Sequence, residues 1–144
     1  MRFKRIFHLG KCYDEYLYQQ LIKLDIEKFR LGKIEFKINR TWWVMVGNDK
    51  NIIAYCGCCY TSENACLFNR AWVHPLSRGM GIHHRMIDLR IKAAKKMGCD
   101  CVITYTDIEN TKSANNLSAM GFKLYRPAFM YVGKNINYYK KDII

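Results

Sequence analysis

The sequence predicts a single α/β (α+β) domain spanning residues 1–144, and three observations carry that reading. Three β-rich runs follow one another from Thr41 to Val73, divided by the turn-forming stretches Gly47–Asn51 and Thr61–Asn64. From Ala65 to Thr106 a run of strand length, a tight glycine loop, an amphipathic helix and a second short apolar run succeed one another. That is a βαβ unit, and it implies parallel pairing. Finally, 144 residues, 50% of them hydrophobic, suffice for one core and exclude a disordered chain.

The elements follow in order. Arg2 to Leu9 alternates weakly and reads as a first strand. From Asp14 to Arg30 the positions Tyr16, Leu17, Leu21, Leu24 and Phe29 recur at helical spacing, with Asp14 as N-cap and Gly32 as stop. Lys33 to Asn39 alternates Ile34, Phe36 and Ile38 with polar residues, too briefly to assign. Thr41–Val46, Ile52–Tyr60 and Ala65–Val73 read as strands, the last stopped by Pro75, which cannot donate to a ladder. Ile82 to Met97 is a helix with Ile82, Met86, Leu89, Ala93 and Met97 on its stripe, Ile87, Ile91 and Ala94 beside it, and Gly98 as its left-handed stop. Cys99–Thr106 is a strand. Asn110 or Thr111 caps a further helix that Gly121 ends, and Phe122–Tyr125, Phe129–Val132 and Ile136–Tyr139 close the chain as strands.

Composition narrows the function classes. No apolar run reaches the ~18 residues of a membrane span. The basic start, Met1 to Gly10, has too short an apolar stretch for a signal peptide, so the expectation is a cytoplasmic protein. Seven cysteines, an odd number, read as free thiols of a reducing compartment. Cys56-Gly57-Cys58-Cys59 and Cys99-Asp100-Cys101 lack zinc-site spacing and lie in strand-like runs, so they read as small buried hydrophobes and no metal is expected. The net charge of +12 bears on partners: nucleic acid, an acidic protein surface or an anionic small molecule. The basic residues are spread without a dense run, which equally suits a solvated basic surface.

The loop between Val73 and Ile82 carries the chemistry. The amides of a helix's first turn lack intrahelical acceptors and, with the dipole end, form a site for negative charge. Gly79 and Gly81 would let an anion approach without a Cβ in the way, and Arg78 could add a charge-assisted contact. The loop lacks the Gly-Lys-Ser/Thr of a P-loop and the third glycine and later acid of the dinucleotide fingerprint. Taken alone, a purely structural turn would use the same glycines.

The segment Val73-His74-Pro75-Leu76-Ser77-Arg78-Gly79-Met80-Gly81-Ile82 resembles the acyl-CoA loop of the GNAT-type N-acetyltransferases. In that family Val-x-Pro precedes an Arg or Gln and then x-x-Gly-x-Gly/Ala. Asn110 to Phe122 is similar to the family's second motif: an Asn, a small residue three later (Ser113), and Gly121-Phe122 at its end. The resemblance covers Ile52 to Phe122 and is only architectural before that. It implies a GNAT-like single domain: a twisted mixed β-sheet, splayed between the strand ending at Val73 and the strand Cys99–Thr106, with helices on both faces. It implies acetyl-CoA as cofactor, with Trp72, Val73, Arg78, Gly79, Met80, Gly81, Ile82, His83, Asn110 and Ser113 as its binding residues. The implied activity is transfer of an acetyl or short acyl group to an amine by direct attack, without a covalent enzyme intermediate.

Three positions depart from the family pattern. His83 replaces a Gly or Ala, and its ring is expected to turn outward. Leu117 stands where many members carry a Tyr that protonates the departing thiolate. Leucine cannot donate a proton, and periodicity places Leu117 in the core. Tyr105 stands where some members have a glutamate base. A phenol, with a reference pKa of ~10, is a poor base but a usable donor, so Tyr105 is either the proton donor or an aromatic wall. His74 is the candidate base, although the middle residue of Val-x-Pro commonly points away. Arg30, Lys33, Lys37 and Arg40 on one expected lip, with Arg126 and Lys134 on the other, favour an anionic acceptor or one on an acidic or nucleic-acid-associated macromolecule. No membrane partner is expected, and a homodimer is left open. The alternative is a catalytically degenerate GNAT-fold module that binds nucleic acid or protein.

Overall fold

The computed structural model describes residues 2–29, 32–127, 133 and 135–144. The elements run β1 (Phe3–His8), β2 (Lys11–Cys12), α1 (Glu15–Lys28), β3 (Arg40–Val46), β4 (Ile52–Tyr60), β5 (Ala65–Val73), α2 (Ile82–Lys96), β6 (Cys101–Asp107), α3 (Thr111–Ala119), β7 (Lys123–Tyr125) and β8 (Ile136–Asp142). The strands hydrogen-bond in the order β2-β1-β3-β4-β5-β6-β8-β7. The pairing is mixed: β5 and β6 are parallel, whereas β1–β3, β3–β4, β6–β8 and β7–β8 are antiparallel. The expected strand Phe129–Val132 lies outside the described residues. The chain forms two compact units, one of Met1–Cys59 with Asn69–Arg90 and the other of Tyr60–Phe68 with Ile91–Ile144.

In the first unit, α1 starts where Asp14 Oδ1 accepts from the Leu17 amide at 3.0 Å. The helix buries Leu17 and Leu21 in a cluster with Ile6, Phe7, Trp42, Val44, Ile52 and Tyr55. Tyr16, which the periodicity assigned to the apolar face, is 69% exposed; the buried row is Leu17, Leu21 and Asp25, four residues apart, and a carboxylate completes it. The helix stops at Lys28 instead of reaching Arg30, because Phe29 is extended (φ −125°, ψ 109°). Its ring packs edge-on to Tyr55, with centroids 6.2 Å apart.

β1 turns into the unforeseen β2 through Leu9 and Gly10, both at positive φ (50° and 89°), as a tight hairpin requires. β3 is covered on both faces: Trp42 and Val44 point one way and Trp43 and Met45 the other, none more than 5% exposed. Such burial explains its continuous apolar run. Trp42 pairs across the ladder with Gly57, and a Cβ on Gly57 would lie 2.5 Å from the Trp42 ring. The ring is held in place by Nε1, which donates to the Glu35 carbonyl at 2.7 Å. Residues 33–39 form no strand; they supply that acceptor and Phe36, which packs 4.4 Å from Tyr18.

The buried face of α2 takes Ile82 and Met86 from the expected stripe and Ile87, Ile91 and Ala94 from the positions expected beside it. Met86, Ile87, Arg90, Ile91 and Ala94 are buried, whereas Met97 is 41% exposed. A charged residue belongs to the hidden face, which an apolar periodicity cannot register.

In the second unit, β5 and β6 pair through Ala65↔Cys101, Cys66↔Val102 and Leu67↔Ile103. The end of α2 carries Gly98 at φ +77°, the left-handed stop. β8 lies between β6 and β7 and runs to Asp142, three residues beyond the expected Tyr139. Asn110 caps α3, and Leu117 in that helix is 6% exposed, in accord with a core position.

Replacing Gly57 by alanine forces the added methyl into a ring that has nowhere to go. Overpacking of this kind costs about 1–3 kcal/mol. Gly57→Ala is therefore expected to lower the unfolding free energy by that amount, seen as a lower urea midpoint at an unchanged slope of the transition.

Candidate functional site

The residues singled out in the sequence fall in both units. In the first, β5 ends at Val73, which is 8% exposed. The chain stays against β4 for one more residue, because the His74 amide donates to the Ile53 carbonyl at 2.7 Å. Pro75–Ser77 then form one 3-10 turn, capped by His74, whose Nδ1 accepts from the Leu76 amide at 3.1 Å. An Nδ1 engaged as acceptor leaves Nε2 as the protonated nitrogen of the ring. Arg78 folds back over the turn, and its Nε donates to the Val73 carbonyl at 3.1 Å.

Gly79 (φ +81°) and Gly81 (φ +75°) both lie in the left-handed region, and no atom lies within 4 Å of a Cβ built on either. The two positions are thus open as well as glycine-requiring. The amide of Arg85 donates to the Gly81 carbonyl at 3.2 Å and opens the helical ladder. The amides of Ile82, His83 and His84 precede it and have no intrahelical acceptor. Ile82, 3% exposed, anchors the turn, while Met80 is 64% exposed. The His83 ring is half-buried where an outward ring was expected. Burial first, then the charges of Arg90 and His84, push its pKa below the ordinary histidine value. The backbone amides and the dipole supply positive potential at the helix start, and the lowered pKa of His83 disfavours an added charge on its ring.

Behind the loop sits a group the sequence reading missed. Arg90 is 3% exposed; its Nη1 donates to the carbonyls of Gly57 and Asn69, both at 3.3 Å, and its Nε to Met86 O at 3.1 Å. A second missed group surrounds Asp25, 1% exposed. Tyr55 Oη donates to its Oδ1 at 2.8 Å, and Arg70 Nε lies 3.3 Å from the same oxygen. The available signal was a carboxylate at the four-residue spacing of Leu17 and Leu21. Beside these groups, Trp72 and His74 pack edge to face at 5.9 Å. They help to line a cleft of about 600 Å³ with Leu24, Lys28, Asp49 and Ser77.

In the second unit, Tyr105 stands opposite Tyr138 in the β6–β8 ladder, with ring centroids 6.3 Å apart, and is half-buried. Asn110 Oδ1 accepts from the Ser113 amide at 3.1 Å, and the Asn110 amide donates to Asp107 O at 3.0 Å. Capping thus commits the Asn110 carbonyl oxygen and leaves its NH₂ as a donor. Asn110 borders a second cleft, of about 580 Å³, with Asp107, Ile108, Glu109 and Asn135.

The proposed basic lips are less free than their charges suggest. Glu35 Oε2 lies 2.6 Å from Arg40 Nη2 and 3.5 Å from Lys37 Nζ. Arg30 and Lys134 lie outside the described residues. Six of the seven cysteines are buried, among them all of Cys56, Cys58 and Cys59 in β4.

Comparison with known proteins gives a family. The model of the acetyltransferase (GNAT) family matches residues 5–122. No curated protein matches the sequence. Among solved structures, the chain is similar to an acetyltransferase of the GNAT family from Staphylococcus aureus Mu50, with TM-score 0.73, 15% identity, and coverage of 99% of this chain and 100% of that one. It is similar also to an aminoglycoside 6'-N-acetyltransferase complexed with coenzyme A, with TM-score 0.74, 14% identity and coverage of 100% and 98%. The aminoglycoside 6'-N-acetyltransferase from Enterococcus faecium matches with the same TM-score of 0.74, 14% identity and coverage of 100% and 98%. At such identities the likeness is one of fold.

The lowered pKa of His83 sets a sign for acid stability. Between the folded value and the ordinary 6.5, the unfolded chain binds more protons. Stability is therefore complete above 6.5 and is lost as pH falls below it. His83→Gln should flatten that part of the curve of unfolding free energy against pH, as measured by urea denaturation at a series of pH values.

Proposed function

Since the chain belongs to the acetyltransferase (GNAT) family, we propose that it transfers an acetyl or other short acyl group from acyl-CoA to an amine by direct attack. The observation that carries this reading is the open pair of positive-φ glycines directly before the α2 amides. A pyrophosphate suits that loop: no side chain occupies the approach, the amides of Ile82 and His83 supply donors, and the dipole favours negative charge. Bound acyl-CoA supplies an acyl carbon already activated as a thioester.

The remaining roles belong to the chain. The amides from Gly79 to His83 hold phosphate oxygens. Arg78 exchanges the Val73 carbonyl for a phosphate, a stronger charge-assisted contact, and so releases that carbonyl to the pantetheine arm. The family resemblance adds Trp72 in the first unit and, in the second, Ser113 and Asn110, the latter through its NH₂. Most of the rate would come from positioning and from amide donors at the thioester carbonyl. Leu117 is buried and donates nothing, so the proton for the departing thiolate is assigned to Tyr105. A role for His74 as base requires its Nδ1 to release the Leu76 amide. The net charge of +12 favours an acidic acceptor or one associated with nucleic acid, in the cytoplasm. The buried Leu117 also favours a second reading, a GNAT-fold module that binds without turnover. Tight acetyl-CoA binding with no transfer to any amine would select it.

Gly81→Glu places a carboxylate where phosphates would sit and should abolish acetyl-CoA binding in calorimetry. Gly98→Glu is the control, since it imposes the same backbone strain (φ +77° against +75°) away from the loop. Normal affinity in folded Gly81→Glu, or equal losses in both variants, would reject the assignment.

Tyr105→Phe keeps the ring and removes the hydroxyl. General acid catalysis contributes typically ~100- to 10,000-fold, so the maximal rate should fall at least about tenfold with acetyl-CoA affinity unchanged. An unaltered rate would make Tyr105 an aromatic wall.

A further inference from the structure

Asp25 completes the buried row of α1, where an apolar side chain would serve the core alone. Burial pushes its carboxyl upward, against the opposing pull of Tyr55 and Arg70. Its partners also engage other groups: the Arg70 guanidinium lies 4.8 Å over the Phe29 ring and donates to Gly32 O at 3.0 Å. The Arg70 backbone sits at φ +22°, inside the left-handed region, within β5. Strain of that kind persists where the surroundings over-determine it. Around this point β5 loses its alternating burial: the four residues Asn69 to Trp72 are all half-buried.

Arg70 and, two residues beyond it, Trp72 both meet α1, the first at Asp25 and the second at Lys28. The Trp72 ring lies 5.9 Å from Tyr55, and Lys28 Nζ is 5.5 Å from its centroid. One carboxylate oxygen thus reaches the indole by two routes, through the Tyr55 ring and through the strained backbone that follows Arg70. Trp72, with His74, then walls the cleft of about 600 Å³.

We propose that Asp25 is a positioning residue for acyl transfer: through Tyr55 and Arg70 it fixes Trp72 as the wall against which the acceptor amine is presented. This rests on the acyltransferase reading. Asp25 itself touches no reacting atom. Asn at position 25 keeps an acceptor for the Tyr55 hydroxyl and removes the charge that holds Arg70. Phe at position 55 keeps the ring and removes one tether.

The test uses the full chain labelled with fluorotryptophan. Of the three tryptophan signals, that of Trp72 is identified by its loss in Trp72→Phe. In Asp25→Asn and in Tyr55→Phe the Trp72 signal should move or broaden while those of Trp42 and Trp43 stay. The kcat/KM for a blocked Asp-Lys-Asp peptide should fall about 10- to 100-fold, the scale of a misplacement near 1 Å. If Asp25→Asn unfolds, Tyr55→Phe alone carries the measurement. An unmoved Trp72 signal, or a moved signal with unchanged kcat/KM, overturns the proposal. A wild-type protein that fails to bind acetyl-CoA, or binds it and transfers its acetyl group to no amine, overturns the acyltransferase reading, and this proposal with it.

Discussion

The guanidinium of Arg90, buried inside α2, is the constraint on which the glycine loop depends. A charge at 3% exposure is tolerated only with strong acceptors around it, and three carbonyls provide them. One belongs to the helix itself, one to β4 at Gly57 and one to Asn69 at the point where β5 becomes irregular. The helix can therefore rotate or slide only by leaving a buried charge without its acceptors. That fixes where its first turn points, and the same charge adds to burial in lowering the pKa of His83 beside the amides. Gly57 serves both sides, giving its carbonyl to Arg90 and its missing side chain to Trp42.

Position 70 is the counterpart on the other side of the same strand. There a strained backbone is held by a buried ion pair with Asp25 and by a stack on Phe29. Replacing such a pair with apolar residues is often neutral or stabilising, so its presence argues for a geometric purpose more than for stability. Adjacent residues of β5 are thus gripped by two arginines, Asn69 by Arg90 through its carbonyl and Arg70 by its own side chain.

Most of the fold was legible in the sequence because its signals are local. β4 and β5 have the expected limits, Asp14 and Asn110 cap the helices they precede, and Gly98 ends α2. The glycine loop was legible for the same reason, since two glycines before a helix constrain the backbone directly. What escaped was long-range. Arg90 reads as a surface cation in any helical pattern until its acceptors, 21 and 33 residues away, are known. Asp25 reads as part of a polar face until Tyr55, 30 residues on, folds over it. The Leu9–Gly10 turn was hidden because leucine rarely takes positive φ.

The cysteines have a practical consequence. Burial raises the Cys56 thiol to about 12, and it lifts those of Cys59 and Cys101 as well. The thiolate is the reactive species, so these sulfurs are shielded twice, by the surrounding side chains and by their protons. Cys12, in the edge strand β2, is the one cysteine that is not buried. Toward an alkylating reagent in water the native chain behaves as a single-cysteine protein. A dye or spin label can therefore be attached at one edge of the sheet without removing any of the other six sulfurs.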